Sequence, residues 1–482
     1  MFDLRPVFNV IGMLVSFLGL TMLFPLLLDF SRSNGHSGAF FESFLITVLM
    51  GGMVYLATRR QKASGLSLQQ TFLLTTGVWV ALPIFGALPF VLGATDASYT
   101  DAFFEAMSGL TTTGSTVFTG LDYLPDGLLL WRSILQWIGG IGIIVVAMVF
   151  LPELRVGGMQ IFRSEGFDTS GKILPRATEI AAQIGWLYIA LTAACAFVYL
   201  ASGMRTFDAV LHSMTTIATG GFSSYDASFA RFGPMTEYAG TVFMCLAALP
   251  FVRYVQLING QPLSVFKDTQ VRMFFIILIF LVGFLTLFLW QDSSLTGELG
   301  FRKALFNVVS IVTGTGYVSA DYGAWGSAAI VVFFYAGLIG GCAGSTSCSV
   351  KVFRYQLLFS AIRMQLRKIN SPNGVFNLRY QGRLVGVDIV NSVISFFVIF
   401  FVTLGVSAMA LVFTGLDTLT ALSGAAAALG NIGPGLGEII GPMGNYSSIS
   451  ESAKWILSIT MLLGRLELLA VYALFTIRFW RN

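Results

Sequence analysis

The stretch DAFFEAMSGLTTTGST, at Asp101–Thr116, decides the fold because the chain repeats its pattern three more times. Aligned without gaps, the later copies read DAVLHSMTTIATGGFS from Asp208, KALFNVVSIVTGTGYV from Lys303 and TALSGAAAALGNIGPG from Thr420. One column is alanine in every copy and another is glycine: Ala102, Ala209, Ala304 and Ala421, then Gly114, Gly221, Gly316 and Gly433. Two shared columns, each spaced by roughly 100 residues, indicate a fourfold internal repeat.

The composition around these copies is that of an integral membrane protein. Of the 482 residues, 55% are hydrophobic and only 11% are charged, whereas an average soluble domain has about 25% charged residues. So few polar side chains cannot cover the surface of a soluble protein of this length. A water-soluble enzyme, a disordered chain and a fibrous chain are therefore excluded.

Ten apolar runs are long enough to cross a membrane, and the repeated stretches fall between them. The runs lie at 7–28, 39–57, 71–93, 128–150, 180–202, 236–258, 271–290, 326–349, 386–413 and 453–477. Each repeated stretch contains a half-apolar segment of about ten residues, which is too short to span the bilayer and indicates a re-entrant helix. These segments lie at 101–110, 208–217, 303–312 and 419–429.

The sequence therefore predicts an all-α integral membrane protein with four pseudo-fourfold repeats around a central pore. Each repeat contains a helix, a pore helix, a filter loop and a second helix, and an N-terminal transmembrane helix pair precedes the repeats. The pair is predicted at 1–65 and the pore repeats at 66–177, 178–265, 266–383 and 384–482. The third repeat also carries the predicted gate loop and a cytoplasmic basic segment.

The segment after each pore helix has the chemistry of a selectivity filter. A helix that enters from outside and ends at membrane depth directs the negative end of its dipole inward, where a cation is favoured. Glycine permits positive φ, so that carbonyl oxygens can face the axis and replace the hydration shell of an ion. The candidate filter residues are Thr111, Thr112, Thr113, Gly114, Ala218, Thr219, Gly220, Gly221, Thr313, Gly314, Thr315, Gly316, Gly430, Asn431, Ile432 and Gly433. Close packing of a helix bundle is the alternative role for these glycines.

Charge asymmetry predicts the orientation of the chain. Most of the 28 Lys and Arg residues fall on one side of the spans, which the positive-inside rule makes cytoplasmic together with both termini. Most of the 24 Asp and Glu residues fall on the other side, where they would concentrate cations at an entrance. The ordinary positive-inside bias explains the inner surplus equally well.

The eighth span is interrupted by small residues that predict an intramembrane gate. Such residues have little helix propensity, and irregular backbone at membrane depth is tolerated only where it is buried in protein or lines a cavity. The candidate gate residues are Gly340, Gly341, Cys342, Ala343, Gly344, Ser345, Thr346 and Ser347. A helix kink from small-residue packing is the alternative.

Arg465 is the second gate candidate because it lies in the middle of the last predicted span. An arginine there costs about 2.5 kcal/mol or more unless it faces protein or water. On the pore face it would raise the barrier for cations and would contact carbonyl groups of the gate loop. Pairing with Glu467 is the alternative, although residues i and i+2 do not share a helix face.

A basic stretch follows the predicted gate. Its residues are Lys351, Arg354, Arg363, Arg367 and Lys368. Two interpretations are equally good: a docking surface for a cytosolic partner, or a lipid-facing cluster on the inner side of the membrane.

Several motifs resemble those of the Trk/Ktr/HKT superfamily of potassium transporters, and in particular its bacterial TrkH/TrkG members. They are TDAFFEAMSGLTTTGST, GGFS, GGCAGST, GNIGPGLG and GRLELL, and the resemblance covers nearly the whole chain. It implies channel-like potassium uptake across the bacterial inner membrane, the gate role of the loop and of Arg465, and a homodimer. It also implies a cytosolic TrkA-type ring that binds the nucleotide, NAD or ATP/ADP, and gates the pore. This chain itself is expected to bind no cofactor, only K⁺ as substrate, with Rb⁺ and Na⁺ as further candidates.

The chain also departs from the family pattern. The third loop reads VTGTGYV, as in a tetrameric potassium channel, while the other three lack that full pattern. We therefore expect modest discrimination of K⁺ from Na⁺ and good Rb⁺ permeation. Ser347, Cys348 and Ser349 stand where the family tends to have glycines, which bears on how freely the gate segment moves.

Other function classes have less support. The chain has two histidines, His36 and His212, and no metal-binding or phosphate-binding motif, so we expect neither an enzyme nor a nucleic-acid-binding protein. A Na⁺- or H⁺-coupled potassium symporter remains the alternative function. Coupled transporters commonly have inverted repeats, whereas all four repeats here run in the same direction.

Overall fold

The computed structural model describes residues 3–59, 66–146, 158–159, 173–261, 263–291 and 295–481. Within these ranges the regular structure is helical except for one small hairpin. There, β1 (Arg379–Tyr380) pairs antiparallel with β2 (Arg383–Leu384), inside the basic segment of the third repeat.

The N-terminal helices form a pair that packs through glycine. α1 (Arg5–Thr21) continues almost directly into α2 (Leu23–Arg32), and α3 (Ser37–Thr58) packs against both. A Cβ atom on Gly12 or on Gly51 would lie 2.8 Å from the carbonyl oxygen of the other residue. Small residues commonly allow such close approach between helices in membranes.

Each of the four repeats places a pore helix between two longer helical segments. The first repeat contains α4 (Leu68–Gly86), α5 (Leu88–Leu92), the pore helix α6 (Tyr99–Leu110) and α7 (Asp126–Val145). The second contains α8 (Ile173–Ala201), the pore helix α9 (Thr206–Ile217), α10 (Pro234–Ala247), α11 (Phe251–Ile258) and α12 (Ser264–Lys267). The third contains α13 (Thr269–Gln291), the pore helix α14 (Gly297–Thr313), α15 (Ser327–Ile339) and α16 (Val352–Asn370). The fourth contains α17 (Val387–Val412), the pore helix α18 (Thr418–Gly430), α19 (Glu451–Arg465), α20 (Leu468–Leu474) and α21 (Ile477–Arg481).

Short 3₁₀ helices follow the filter loops of the first three repeats, and two pore helices begin at side-chain caps. The 3₁₀ helices are Leu121–Tyr123, Ser228–Arg231 and Tyr322–Trp325. Ser98 accepts a hydrogen bond from the amide of Asp101, and Asp417 accepts one from the amide of Thr420. Hydrogen bonding with Thr420 holds the pKa of Asp417 below its usual range. The carboxylate is therefore charged at neutral pH, which suits the positive end of the helix dipole.

The spanning helices agree with the predicted runs, with three exceptions. In the described residues, seven helices are long and apolar enough to cross a membrane, and two bent helix pairs bring the number to nine. The predicted span 326–349 is helical only over Ser327–Ile339, where the gate segment begins. The last four residues of the predicted span 128–150 lie outside the described residues.

The other two exceptions are predicted runs that the structure divides between two helices. The span 236–258 bends by 88° between α10 and α11, at Pro250, which has no N–H to continue a helix. The carbonyl groups of Ala247 and Ala248 accept hydrogen bonds from the gate segment instead. The span 453–477 bends by 110° between α19 and α20, where Glu467 has a φ of 60°. Arg465 therefore ends a helix at a bend rather than lying within a straight one.

Candidate functional site: a ring of four loops above an intramembrane segment

The four filter loops share one backbone conformation. In each loop, two residues with positive φ are separated by a residue with negative φ. The first of them are Thr112 (51°), Thr219 (50°), Gly314 (77°) and Asn431 (51°). The second are the repeat glycines, Gly114 (86°), Gly221 (75°), Gly316 (77°) and Gly433 (100°). Alternation of this kind suits a backbone whose carbonyl oxygens line a path.

The same hydrogen bond closes each loop onto its pore helix. The amide between the two positive-φ residues donates to the carbonyl oxygen five residues earlier, at N–O distances of 2.8, 2.9, 2.9 and 3.0 Å. The pairs are Thr113 with Ser108, Gly220 with Thr215, Thr315 with Ser310, and Ile432 with Ala427. The third and fourth copies therefore have the conformation of the first two, although their sequences match less well.

The repeat glycines bring the four loops into a closed ring. A Cβ atom on each of these glycines would lie less than 3.0 Å from a carbonyl oxygen of the next loop. The oxygens belong to Gly220 for Gly114, Thr315 for Gly221, Ile432 for Gly316 and Thr113 for Gly433. Because the order runs one, two, three, four and back to one, the loops surround a common axis. Glycine is required here by close approach as well as by positive φ.

A cavity of about 200 Å³ lies against the four glycines, on the side from which the pore helices enter. All four repeat glycines line it, together with side chains that include Arg132, Tyr225 and Asp226. The cavity therefore opens directly onto the ring of four loops.

Side chains from neighbouring repeats hold the loops in place. Gln136 of α7 donates to the carbonyl oxygen of Gly220 and accepts from the amide of Phe222 at 3.0 Å. Asn431 donates from Nδ2 to Oγ1 of Thr113 at 2.9 Å. Fixed polar groups of this kind keep a binding site in one geometry. Gln136 is not recognisable from the sequence as a filter contact, because a polar residue in an apolar span does not by itself indicate its partner.

A buried ion pair, which was not predicted from the sequence, lies behind the first loop. Nε of Arg132 in α7 lies 2.8 Å from Oε1 of Glu105 in α6, and both side chains are almost fully buried. Glu105 occupies the same place in its repeat as the polar residues His212 and Asn307. That shared polar position was the available signal, since a charge within an apolar stretch is costly unless it is paired.

The predicted gate residues form a compact loop beneath the third filter loop. Every residue from 341 to 349 is buried. A Cβ atom on Gly314 would lie 3.9 Å from the amide nitrogen of Cys348 and from Oγ of Ser347, so the loop lies next to the ring. Oγ of Ser347 accepts a hydrogen bond from the amide of Gly341 at 2.8 Å. One of the three residues that depart from the family pattern thus closes the loop onto itself.

Neighbouring helices anchor this gate loop through hydrogen bonds. The amide of Cys342 donates to the carbonyl oxygen of Ala248, at the bend of the second repeat, at 3.0 Å. The amide of Ala343 donates to Oε1 of Gln270 at 3.0 Å. The helix bend at Pro250 therefore leaves backbone carbonyl groups without partners in the helix, and the gate loop donates hydrogen bonds to them.

Arg465 joins the fourth repeat to this loop. Its Nη1 donates to the carbonyl oxygen of Thr346 at 3.3 Å and contacts Sγ of Cys348 at 2.7 Å. Its Nη2 donates to the carbonyl oxygen of Gly139 in α7 at 2.9 Å. The expected contact between Arg465 and a gate-loop carbonyl is present.

Glu467 pairs with residues of the third repeat rather than with Arg465. Its carboxylate contacts the guanidinium of Arg354 and lies 3.5 Å from Nζ of Lys351. Lys351 and Arg354 are 5% and 0% exposed, so the prediction that they belong to an exposed basic cluster is wrong. Both side chains, of Arg354 in α16 and of Lys351 just before it, point toward Glu467 at the bend between α19 and α20. Only Arg363, Arg367 and Lys368 of that cluster are exposed.

Comparison with known proteins agrees with this arrangement. A family model described as TrkH, cation transport protein, matches residues 36–480. The chain is 43% identical to the Trk system potassium uptake protein TrkI of Halomonas elongata, covering 99% of this chain and 97% of that protein. It is 38% identical to the Trk system potassium uptake protein TrkH of Salmonella typhimurium, covering 99% of both chains.

A solved structure is similar over the full length. The crystal structure of the potassium transporter TrkH from Vibrio parahaemolyticus has a TM-score of 0.92 to this chain, at 35% identity and 100% coverage of both. This similarity confirms the predicted fold class, an all-α multi-pass membrane protein. Together with the family model and the full-length relatives, it shows that this chain belongs to the TrkH family of cation transport proteins.

Proposed function

We propose that this chain carries K⁺ into a bacterial cell across the inner membrane, through the axis enclosed by the four filter loops. The observation that supports the proposal most strongly is the closed ring of repeat glycines, in which each loop approaches the carbonyl group of the next. A ring of backbone dipoles can replace the water around a monovalent cation without holding it too tightly to leave. The relatives named above are potassium uptake proteins, which favours K⁺ as the substrate.

The proposed filter consists of the sixteen residues that the sequence analysis named. Two loops add hydroxyl groups beside the backbone: Oγ1 of Thr111 lies 2.7 Å from that of Thr113, and Oγ1 of Thr313 lies 2.8 Å from that of Thr315. The second and fourth loops have no such hydroxyl pair. Unequal loops imply fewer equivalent ion sites than in a symmetric channel, and hence modest discrimination of K⁺ from Na⁺ with good Rb⁺ permeation.

The gate in this proposal is the loop at 340–347 together with Arg465. The loop lies against the inner side of the ring, and the arginine places a positive charge beside it. Both would oppose the passage of a cation, and withdrawal of the loop would open the path. The loop is held by hydrogen bonds to helix bends and to single side chains, which can exchange without unfolding a spanning helix.

The regulatory partner and the assembly extend the proposal. A cytosolic TrkA-type ring, which binds NAD or ATP/ADP, would act on the gate from the inner side, and two copies of this chain would form a homodimer. The exposed Arg363, Arg367 and Lys368 on α16 are the proposed contacts for that ring, since α16 begins directly after the gate loop. The domain boundaries and the cytoplasmic location of both termini belong to the same proposal.

Uncoupled flux is favoured over coupling to H⁺ or Na⁺. Coupling to H⁺ would need a mid-membrane carboxylate to relay protons, and Glu467 is such a residue. Its carboxylate is instead engaged by two basic partners, the buried Arg354 and Lys351, at the bend between α19 and α20. A channel-like path through the ring needs no such carrier.

The experiment is K⁺ or Rb⁺ flux into proteoliposomes that contain only this chain. We expect a measurable K⁺ current whose reversal potential follows the K⁺ gradient alone. A reversal potential that shifts with the H⁺ or Na⁺ gradient at constant K⁺ would establish the coupled alternative. Absence of K⁺ flux from folded protein, both alone and with its partner ring, would refute the proposal.

A further inference from the structure

Behind each filter loop, a polar side chain of the pore helix contacts the extended segment that follows the filter residues. In the first three repeats this side chain is the fifth residue of the copy: Glu105, His212 and Asn307. The fourth repeat has Gly424 at that place, and the preceding Ser423 takes over the role. Each copy therefore has one side chain that braces its loop from behind, although no two copies use the same residue type.

The four bracing contacts are buried and similar in length. Val117 donates to Oε2 of Glu105 at 2.9 Å, and Leu436 donates to Oγ of Ser423 at 2.9 Å. Ser319 donates its amide to Oδ1 of Asn307 at 3.1 Å. In the second repeat, Nε2 of His212 lies 3.0 Å from Oγ of Ser223. Hydrogen bonds away from water are stronger than exposed ones, so these contacts resist widening of the loops.

The first repeat differs because its bracing side chain is charged and shared between two loops. Glu105 also pairs with Arg132, whose Nη1 donates to the carbonyl oxygen of Ser223 in the second repeat at 2.7 Å. The guanidinium carbon of Arg132 lies 4.0 Å from the ring centre of Phe222, next to Gly221 of the filter. The pair thus connects the segments that follow the first and second filter loops.

The pair also affects the charge of the cavity that opens onto the ring. Arg132 lines the cavity against the four glycines, while Glu105 lies behind it and is 0% exposed. An unpaired arginine in this position would repel the cations that enter. With Glu105 in place, the positive charge is neutralised and the guanidinium is free to act as a connector.

We propose that Glu105 and Arg132 are a positioning pair that fixes the spacing of the first two filter loops, and that this spacing sets the discrimination between K⁺ and Na⁺. The inference rests on the proposed function. A filter discriminates when its oxygens cannot close around the smaller ion, which requires support from behind the backbone. Loss of the support lets the loops relax and admits Na⁺ more readily.

The test uses Glu105→Gln and the double variant Glu105→Gln/Arg132→Gln, each reconstituted as the full chain. The measurement is the Na⁺/K⁺ permeability ratio from bi-ionic reversal potentials, which does not depend on how many molecules folded. For Glu105→Gln we expect the ratio to rise at least about tenfold, as for loss of one charge-assisted hydrogen bond. The double variant restores electrical neutrality without the ion pair, so it recovers conductance but keeps the altered ratio.

Asp29→Asn is the matched control. Asp29 is also a carboxylate with 0% exposure, but it accepts hydrogen bonds from Gly127 and Asn34, away from the filter. Loss of the Asp29 charge tests whether general destabilisation alters selectivity, and it should leave the Na⁺/K⁺ permeability ratio unchanged. An unaltered ratio in Glu105→Gln, or a ratio restored in the double variant, would overturn the positioning role while wild-type K⁺ flux still supported the proposed function. Wild-type protein that conducts no K⁺ would refute the proposed function itself.

Discussion

Arg465 and Thr346 are joined by a hydrogen bond, from Nη1 to the carbonyl oxygen, that ties the end of α19 to the gate loop. The same guanidinium donates to Gly139 of α7, so one side chain links segments of the first, third and fourth repeats. Arg465 is 2% exposed, and its Nε has no hydrogen-bond partner in the described part of the chain. The charge is therefore held beneath the filter by backbone carbonyl groups.

Replacing Arg465 by alanine should increase K⁺ flux through the chain in the absence of a partner protein. The substitution removes both the positive charge and the hydrogen bonds that hold the loop at Thr346. We expect at least about a fivefold increase, since hydrogen bonds to a charged group each contribute about 1.5–3 kcal/mol. Rb⁺ uptake into proteoliposomes measures the effect.

Arg465→Lys separates the charge from the hydrogen bonds. Lysine keeps a positive charge but cannot reproduce the planar fork that contacts Thr346 and Gly139 together. If the positive charge alone forms the barrier, the lysine variant should show wild-type K⁺ flux. If the hydrogen bonds to Thr346 and Gly139 are needed, its K⁺ flux without a partner protein should exceed that of wild type. Unchanged flux in the alanine variant would show that Arg465 is no part of the gate.

Gln270→Met should loosen the gate loop from the opposite side. Oε1 of Gln270 accepts the hydrogen bond of Ala343, and methionine has similar volume without a strong acceptor. We expect basal flux to rise about threefold to fivefold, as for loss of a neutral hydrogen bond of about 1 kcal/mol. The control is Thr286→Val on the same helix, because Oγ1 of Thr286 is buried and has no hydrogen-bond partner among the described residues. Equal flux in both variants would contradict the anchoring role of Gln270.

Alanine at the repeat glycines should block transport in a graded way. A Cβ atom at Gly316 would overlap the carbonyl oxygen of Ile432, whereas at Gly433 the nearest carbonyl oxygen, that of Thr113, would be 2.8 Å away. We expect Gly316→Ala to lower K⁺ uptake by at least about tenfold, the effect of 1.4 kcal/mol on a barrier, and Gly433→Ala to lower it less.

Gly405→Ala is the control for these substitutions. Gly405 lies in α17, and a Cβ atom there would meet no atom within 4 Å. Its alanine variant should transport K⁺ as wild type does. A similar loss in Gly405→Ala and Gly316→Ala would mean that the filter glycines matter only for general folding.

Much of the ring could be predicted from the sequence because its geometry depends on residue type at fixed positions. A glycine column in four aligned copies indicates positive φ, and Gly114 and its equivalents have it. The positive φ of Thr112, Thr219 and Asn431 could not be predicted from residue type, because none of these residues requires it. The hydrogen bond that closes each loop holds them in that conformation.

The bends and the partners of the buried charges could not be predicted from single-span patterns. Hydropathy shows that a segment is apolar but not that Pro250 ends a helix whose last carbonyl groups accept from another repeat. Arg354 looked like a cytoplasmic charge because its partner, Glu467, lies 113 residues away in the chain. Long-range pairing of this kind depends on how the repeats pack, which no local pattern records.

Glu467→Gln should destabilise the folded protein strongly, because it removes the carboxylate charge that faces the fully buried Arg354. Removing one partner of a buried pair costs about 3–5 kcal/mol, and we expect a clear fall in the thermal unfolding midpoint in detergent. Asp126→Asn is the control, since its partner Arg32 is 57% exposed and such surface pairs contribute about 1 kcal/mol or less. Equal midpoints for the two variants would show that the Glu467 pair does not hold α16 to the bend between α19 and α20.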